Sequence, residues 1–523
     1  MKLRLFKAVL GMLALLSPGV CFGSDPGPQG LPDATRFEPP LRNLIDEAVK
    51  AVNRDPGKAL AWGKLAMVCH AHFLRAEARH AYSEAAKLAP SDPRWPHLLG
   101  VLSDQLSLTD EAASAFSRAL ELHPLDVVAL CSLARIRQER GQDDEARKLF
   151  LEAVKMEPNC AAARVGLGQL ALRAGILDMA EKNVRMALEE FPRCGPAHAA
   201  LAQICAKQGK AEEAAFHRRW GQAGPSRIPL PDPLLEEVEG LGASYEARMQ
   251  QGHLLASLGQ WQEAVERFRA AAGLKDGLAE PRYFLGVSLL QAGETDAGLS
   301  ELEKVAMKDR QVDAWIRIAR ARESRGDVTG AHAAIDAGLK LAPESAEALV
   351  ARGELSCREK KLDLGLADFE RAIALEPGNA GAHLAKGQAL LLPGATREEA
   401  GRDPVLARCE AERARASLAS FRRALELKVD LAEAYEGAGK ACMQQWDYAR
   451  EDAEKAAHVE AAVEHFQLAV KCFPERKSAH VALIKALFSA GRVEESVAAI
   501  RRARTRWPDD PRFHERTPPA EEK

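Results

Sequence analysis

Residues 112–124 read AASAFSRALELHP, and residues 146–158 read ARKLFLEAVKMEP. The two stretches carry an alanine, a phenylalanine and a closing proline at matching positions, 34 residues apart. The proline column continues in equal steps through Pro56, Pro90, Pro124, Pro158 and Pro192. Alanine, aromatic and leucine residues also recur at matching positions with the same spacing of 34 residues. Most of the chain is therefore one unit repeated about every 34 residues.

Each unit predicts two amphipathic helices, because apolar residues recur at i, i+3, i+4 and i+7 in two blocks. Small residues such as Gly100 and Ala112 would let the paired helices approach closely, and an aromatic such as Phe116 would fill the gap to the next pair. A closing proline stops the second helix. Glycines between the blocks are predicted to cap the first helix in a left-handed conformation; they are Gly141, Gly175, Gly209, Gly259, Gly293, Gly326 and Gly491.

This unit resembles the tetratricopeptide repeat family, which combines the same length, small facing residues, aromatic and proline. The resemblance implies an all-α fold, a right-handed superhelical α-solenoid of about twelve helix-turn-helix repeats in two stacked arrays. We expect the arrays at 41–221 and 245–510, joined by a linker at 222–244 whose PDPLLEEVEGL forms a short helix capping the second array. Insertions near 392–410 and 443–456 are interpreted as lengthened helices or, alternatively, as an extra contact surface.

The amino terminus is typical of a secretory signal peptide. Lys2, Arg4 and Lys7 precede the apolar stretch 8–16, which is shorter than the roughly 20 residues that a membrane span needs. We expect cleavage after residue 23, a flexible spacer at 24–40 and a disordered tail at 511–523. The prediction is an exported protein, periplasmic or secreted. Lipid anchoring at Cys21 fits less well, and retention of the signal as an anchor stays open.

Composition excludes several classes of function. The 523 residues carry 72 basic and 75 acidic side chains, for a net charge of −3, which excludes a strongly cationic nucleic-acid binder. The sequence has none of the HExxH, P-loop, GxSxG, CxxC or CxxCH motifs, so no enzyme, cofactor or metal site is predicted. His70, His97 and Cys131 could point into one groove, but ligand distances would also have to match. The cysteines are predicted to be mainly free thiols.

The resemblance also implies a function. In this family the first helices line a concave groove that binds a peptide or helix of a protein partner. The matching positions are Arg94, His97, Asp104, Arg135, Gln138, Gln169, Gln203, His253, Tyr283, Arg320, Glu323, Glu354 and Lys440. The sequence thus predicts a noncatalytic interaction scaffold in the bacterial cell envelope, monomeric or weakly oligomeric. The alternative is an accessory subunit of an envelope enzyme system, for glycosyl transfer or a c-type cytochrome-linked redox complex, with catalysis in another chain.

Overall fold

The computed structural model describes residues 31–513, except positions 229, 310, 393, 395–398, 400 and 401. The predicted signal peptide and Cys21 lie outside the described residues. Within the described part of the chain all regular elements are helical: 26 α-helices and two short 3-10 helices, at Ala34–Arg36 and Pro511–Phe513. This confirms the all-α solenoid prediction. No helix among the described residues is both long and apolar enough to span a membrane.

The chain divides into two compact units, Met1–Val305 and Ala306–Lys523. The first sixteen helices are α1 Pro39–Arg54, α2 Ala59–Ala71, α3 Arg75–Leu88, α4 Arg94–Gln105, α5 Thr109–Leu122, α6 Val127–Glu139, α7 Asp143–Met156, α8 Ala161–Arg173, α9 Leu177–Glu190, α10 Gly195–Lys207, α11 Ala211–Ala223, α12 Pro233–Gly240, α13 Tyr245–Ser257, α14 Trp261–Leu274, α15 Ala279–Gln291 and α16 Thr295–Lys308. The remaining ten are α17 Val312–Ser324, α18 Val328–Leu341, α19 Ala346–Arg358, α20 Leu362–Leu375, α21 Ala380–Leu390, α22 Pro404–Leu427, α23 Ala432–Tyr448, α24 Asp452–Cys472, α25 Lys477–Ser489 and α26 Val493–Arg506.

The helices form pairs that follow the 34-residue period. After the half repeat α1, pairs run from α2/α3 to α10/α11; then, beyond the single helix α12, they run from α13/α14 to α25/α26. The described residues thus contain twelve pairs. The division between the two units falls inside α16, so the segment 222–244, expected to be a linker between arrays, lies within the first unit.

In most of the pairs the turn has the backbone conformation that the glycines predict; α21/α22 and α23/α24, whose connections differ in length, have no positive φ among their described turn residues. All seven glycines named from the sequence have positive φ, between 72° and 89°, which costs little without a Cβ. Phe73 and Ser107 hold the same turn in the first two repeats, at φ 62° and 59°. The turn geometry is therefore kept even where the sequence offers no glycine.

Close packing within and between the pairs depends on glycine facing an aromatic ring. A Cβ placed on Gly100 would lie 2.7 Å from the ring of Phe116, and one on Gly166 would lie 2.3 Å from that of Phe150. Both rings are buried. Any larger side chain at these glycines would have to displace a ring from a close-packed interior.

The departures from the period appear as longer helices. Helices α22, α23 and α24 have 24, 17 and 21 residues, whereas the helices of the other pairs mostly have 13 or 14. Two flanking segments contain short 3-10 turns. The 3-10 turn Ala34–Arg36 lies in the expected spacer and is capped by Asp33. In the expected tail, Phe513 is buried and stacks on Trp507, because this ring closes the apolar end of the last pair.

Candidate partner-binding surface

A segment of the chain lies across the first five repeats. We name residues 224–228 and 230–242 the strap. It begins where α11 ends and includes the short helix α12. The backbone N–H of Gly195 donates to the carbonyl of Pro225 over 3.1 Å. A Cβ on Gly195 would lie 2.9 Å from the carbonyl oxygens of Gly224 and Pro225. Glycine at position 195 thus lets the strap approach the start of α10 at backbone distance.

The strap packs on the repeats in reverse order. Ile228 joins the apolar cluster of α8 to α10, and Leu230 joins the cluster that contains Leu130 and Cys131. Helix α12 then contacts α2 and α4, and Val238, 1% exposed, belongs to the cluster around Leu65. The helix expected to cap the second array therefore rests on the first array, because its apolar side is buried against the first two repeats.

Asp232 fixes the strap to the array through one histidine. Its Oδ1 accepts the backbone N–H groups of Leu234 and Leu235, which caps α12. Its Oδ2 lies 3.0 Å from His97 Nε2. On the other side of the ring, His97 Nδ1 lies 2.5 Å from Asp126 Oδ2, and Asp126 caps α6 through Ala129 N–H. One imidazole thus lies between two carboxylates that each begin a helix.

Electrostatics keep this imidazole charged. Burial alone would lower the pKa of His97, but the hydrogen bonds to Asp126 and Asp232 raise it to about 9. Burial opposes ionisation of Asp126 as well, yet the hydrogen bond from His97 keeps the pKa of Asp126 below its usual value. At neutral pH, His97 is an imidazolium that donates from both nitrogens. His97, which the sequence places in an open groove, is 3% exposed and faces the strap.

In the first unit, polar side chains of neighbouring first helices bond to each other. Arg135 donates to Asp104, and Gln138 Nε2 donates to Gln169 Oε1 over 3.1 Å. Each bond joins residues 31 positions apart in consecutive repeats. We name these four residues the first ladder. Four of the sequence-predicted groove positions are thereby brought together in two pairs.

A second ladder lies in the second unit, on α17 and α19. Arg320 Nη2 donates to Glu354 Oε2 over 3.1 Å, and Arg358 donates to Glu323. The arginine side chains are 48% and 52% exposed. Three of these four residues are predicted groove positions, and Arg358 is one that the sequence reasoning missed. A step of 35 residues from Glu323 would have pointed to it.

The other predicted positions do not form a common cluster. Arg94 is exposed, donates to Asp92 and lies 4.7 Å above the ring of Trp95. His253 packs edge-on against Phe284, with centroids 4.3 Å apart, and Tyr283 packs edge-on against the same phenylalanine. Burial lowers the pKa of His253. Gln203 and Lys440 are exposed.

The residues that hold the strap were missed by the sequence reasoning. Asp232 and Ile228 belong to no repeated position, and Asp126, which is equivalent to Asp92 of the preceding repeat, gives no sign of its contact with His97. One local signal was available: Asp232 followed by Pro233 is a helix start, and Leu234, Val238 and Leu241 then mark one apolar face. That signal predicts a helix whose apolar face packs on another part of the protein, but it does not identify the surface on which the helix packs.

A sequence model described as tetratricopeptide repeat matches residues 74–127, 131–192, 249–311, 316–364 and 451–511, which is more than half of the chain. A search of curated proteins found no match.

Among solved structures, the chain is similar to "MamA 41-end from Desulfovibrio magneticus RS-1", with 20% identity over 30% of this chain and 90% of that chain, at a TM-score of 0.29. It is similar to yeast Tom70, with 14% identity over 86% of this chain and 91% of that chain, at a TM-score of 0.31. It is also similar to Naa15/Naa10 bound to HypK-THB, with 12% identity over 89% and 86% of the two chains, at a TM-score of 0.36. All three scores lie below 0.5, so no functional property is taken from these proteins.

Proposed function

This chain belongs to the tetratricopeptide repeat family, and from that premise we propose that it is a noncatalytic protein-interaction scaffold of the bacterial cell envelope. Stacked repeats present an extended surface lined by their first helices. The observation that supports the proposal most strongly is the strap. Five repeats hold an extended piece of polypeptide with a backbone hydrogen bond, buried apolar side chains and an ion pair.

The second ladder is the surface on which we place the partner. In residues 306–513, apart from the undescribed positions, every α-helix belongs to a pair, so this part of the chain has no unpaired helix like α12. The ladder side chains bond to each other while remaining partly exposed. An exposed ion pair contributes only about 0–1 kcal/mol, so a partner can replace these bonds at small cost.

The ladder also sets the chemistry of the partner. Two arginines and two glutamates alternate between α17 and α19, so the surface has no net charge. A partner segment that carries both acidic and basic side chains matches this pattern, whereas a uniformly charged one does not. We therefore propose an extended peptide or a helix of mixed charge.

Export is the second part of the proposal. It rests on Lys2, Arg4 and Lys7 ahead of the apolar stretch 8–16. Amino-terminal sequencing of the protein recovered from the envelope fraction tests it. A new terminus near residue 24 is expected. An intact Met1 in the cytosolic fraction would contradict the proposed location but would not bear on the scaffold proposal.

In-cell crosslinking followed by mass spectrometry tests partner binding. The variant is Arg320→Glu, which places two acidic groups on one step of the ladder. The matched control is Arg408→Glu, which breaks an exposed pair with Glu412 on the long helix α22. We expect a recurrent partner with the native chain and the control, and at least a tenfold loss with Arg320→Glu. Equal recovery with both variants would refute this placement.

A further inference from the structure

The last repeat of the first array contains three side chains whose ligand atoms converge. Cys205 lies near the end of α10, and Glu213 and His217 lie one turn apart on α11. One ligand atom from each of the three lies within 4.8 Å of the other two. Cys205 and His217 are fully buried, and the Glu213 side chain is 35% exposed. Glu213 and His217 share a face because they are four residues apart on a helix.

A chain of hydrogen bonds fixes the tautomer of His217. The carbonyl oxygen of Pro192 lies 2.9 Å from His198 Nε2, and a carbonyl can only accept. His198 Nε2 therefore carries the proton, and in the neutral ring Nδ1 carries the lone pair. His217 Nδ1 lies 2.7 Å from that atom, so it must donate. The neutral His217 ring then presents the lone pair of Nε2 on its other side.

That lone pair faces negative charge. His217 Nε2 is 3.8 Å from Glu213 Oε1, and the thiol of Cys205 belongs to the same cluster. An imidazole lone pair and a carboxylate oxygen repel each other unless a positive charge lies between them. Either an additional proton on His217 or a bound cation can supply this charge.

We propose that the cation is Zn²⁺, bound by Cys205 Sγ, His217 Nε2 and a carboxylate oxygen of Glu213. Thiolate, imidazole and carboxylate are the three ligand types that zinc takes in proteins. The three residues leave the fourth position of a tetrahedral site to water. Binding displaces the thiol proton of Cys205 to solvent, because the metal ligand is the thiolate. The site departs from the sequence expectation that the chain holds no metal.

The surroundings match those of bound zinc. A zinc-ligating histidine usually donates its other ring N–H to a fixed acceptor, which holds the ring in place. His217 Nδ1 does this toward His198. Ligating carboxylates are usually hydrogen-bonded as well, and Arg185 Nη2 lies 3.1 Å from Glu213 Oε1.

The consequence is a metal clip between α10 and α11. It would hold the last pair of the first array together just before the chain turns back as the strap. Trp220 lies on α11 with His217, and its ring stacks on that of His198 with centroids 5.5 Å apart. The strap begins at Gly224, directly after this helix. The clip is independent of partner binding.

Cobalt substitution of the full chain tests the site. The reduced, chelator-treated protein is titrated with Co²⁺ and then with Zn²⁺. We expect one Co²⁺ per chain, with a thiolate-to-cobalt charge-transfer band and the visible bands of a tetrahedral site, both removed by Zn²⁺. Cys205→Ser should abolish the charge-transfer band. Glu213→Gln, at a partly exposed position, should weaken Zn²⁺ binding at least about tenfold.

Cys194→Ser is the matched control, since Cys194 is a buried thiol at the start of the same helix, outside the cluster. It should keep the spectrum and the affinity. Circular dichroism confirms that each variant is folded. Absence of a charge-transfer band in the native chain, or the same Zn²⁺ affinity for native and Glu213→Gln proteins, would overturn the proposal and leave a protonated His217 as the cation.

Discussion

His97 and Asp232 lie 135 positions apart in the sequence, and a 3.0 Å hydrogen bond joins His97 Nε2 to Asp232 Oδ2. This contact connects a first helix of the second repeat to the segment that follows the fifth. It is buried, charged and further held by Asp126. The strap is therefore an integral part of the first array, and its attachment can be tested separately from partner binding.

The attachment should weaken in alkaline solution. The pKa of His97 is about 9 in the folded chain, against about 6.5 in an unfolded chain. The stabilisation that protonated His97 gives the folded chain is complete below about pH 6.5 and is lost as the pH rises through 9. The full contribution is about 3 kcal/mol. The groups facing the ring are Asp126 and Asp232, both carboxylates.

The measurement is the free energy of unfolding of the native chain and of His97→Gln, at pH 6 and pH 10. Glutamine keeps a polar side chain but cannot be charged. The difference between the two proteins should be large at pH 6 and should shrink by pH 10. A difference that stays constant would show that the charge on His97 contributes nothing.

Removing the carboxylate of Asp232 should detach the strap from the first array. Asp232→Ala leaves His97 with one carboxylate and removes the cap of α12, at a cost of about 3–5 kcal/mol in strap attachment. Arg227 is the basic residue of the strap and is exposed, so limited trypsin digestion reports the change. Cleavage after Arg227 should become at least tenfold faster, while the paired helices stay resistant. Asp46→Ala, which breaks an exposed pair with Lys50, is the control and should not change the rate.

Glycines that face rings should not tolerate a methyl group. Gly166→Ala should lower the free energy of unfolding by about 1–3 kcal/mol, because the added carbon overlaps the ring of Phe150. Gly273→Ala on α14 has no atom within 4 Å of its added carbon, so it should stabilise the helix by about 0.5–1 kcal/mol. Denaturant titration of the two variants provides the comparison. Equal changes in the free energy of unfolding for the two variants would contradict the packing of glycine against the ring of Phe150.

Two thiols under the strap should be the first to form a disulfide. Cys131 Sγ and Cys160 Sγ lie 3.7 Å apart. The hydrogen bond from Cys131 lowers the pKa of the Cys160 thiol. Burial acts in the opposite direction and raises this pKa, whereas the backbone N–H groups of Ala163 and Ala162 lower it further. Cys160 is thus the attacking thiolate toward oxidised glutathione, and Cys131 displaces glutathione from the mixed disulfide. Nonreducing peptide mapping should show the 131–160 crosslink before any other. A different first pair would contradict the prediction.

The repeat unit could be predicted from the sequence because its determinants are local and occur many times. Gly141, Ala146 and Phe150 lie within ten residues, and their equivalents recur in later repeats. The strap could not be predicted in the same way. Asp232 occurs once, and its partner His97 belongs to a column that normally faces a groove. In the proposed zinc site, Cys205 and Glu213 have equivalents in earlier repeats, at Cys69 and Glu145, but His217 has none, so the repeat pattern does not reveal the three as a cluster.

The ladder can be tested as a purely structural feature. If the Arg320–Glu354 pair serves mainly to bind a partner, then Arg320→Ala, Glu354→Ala and the double variant should give a coupling energy below about 1 kcal/mol. The measurement is a double-mutant cycle of unfolding free energies on the isolated protein. A coupling of several kcal/mol would show that the pair is needed for folding and is not available to a partner.

The most direct measurement is site-specific photocrosslinking in cells, with a photoreactive amino acid at position 320 on the second ladder or at position 408 on α22. The scaffold proposal predicts that position 320 captures one recurrent protein and that position 408 does not. The same set of proteins from both positions, or no recurrent protein from position 320, would contradict it.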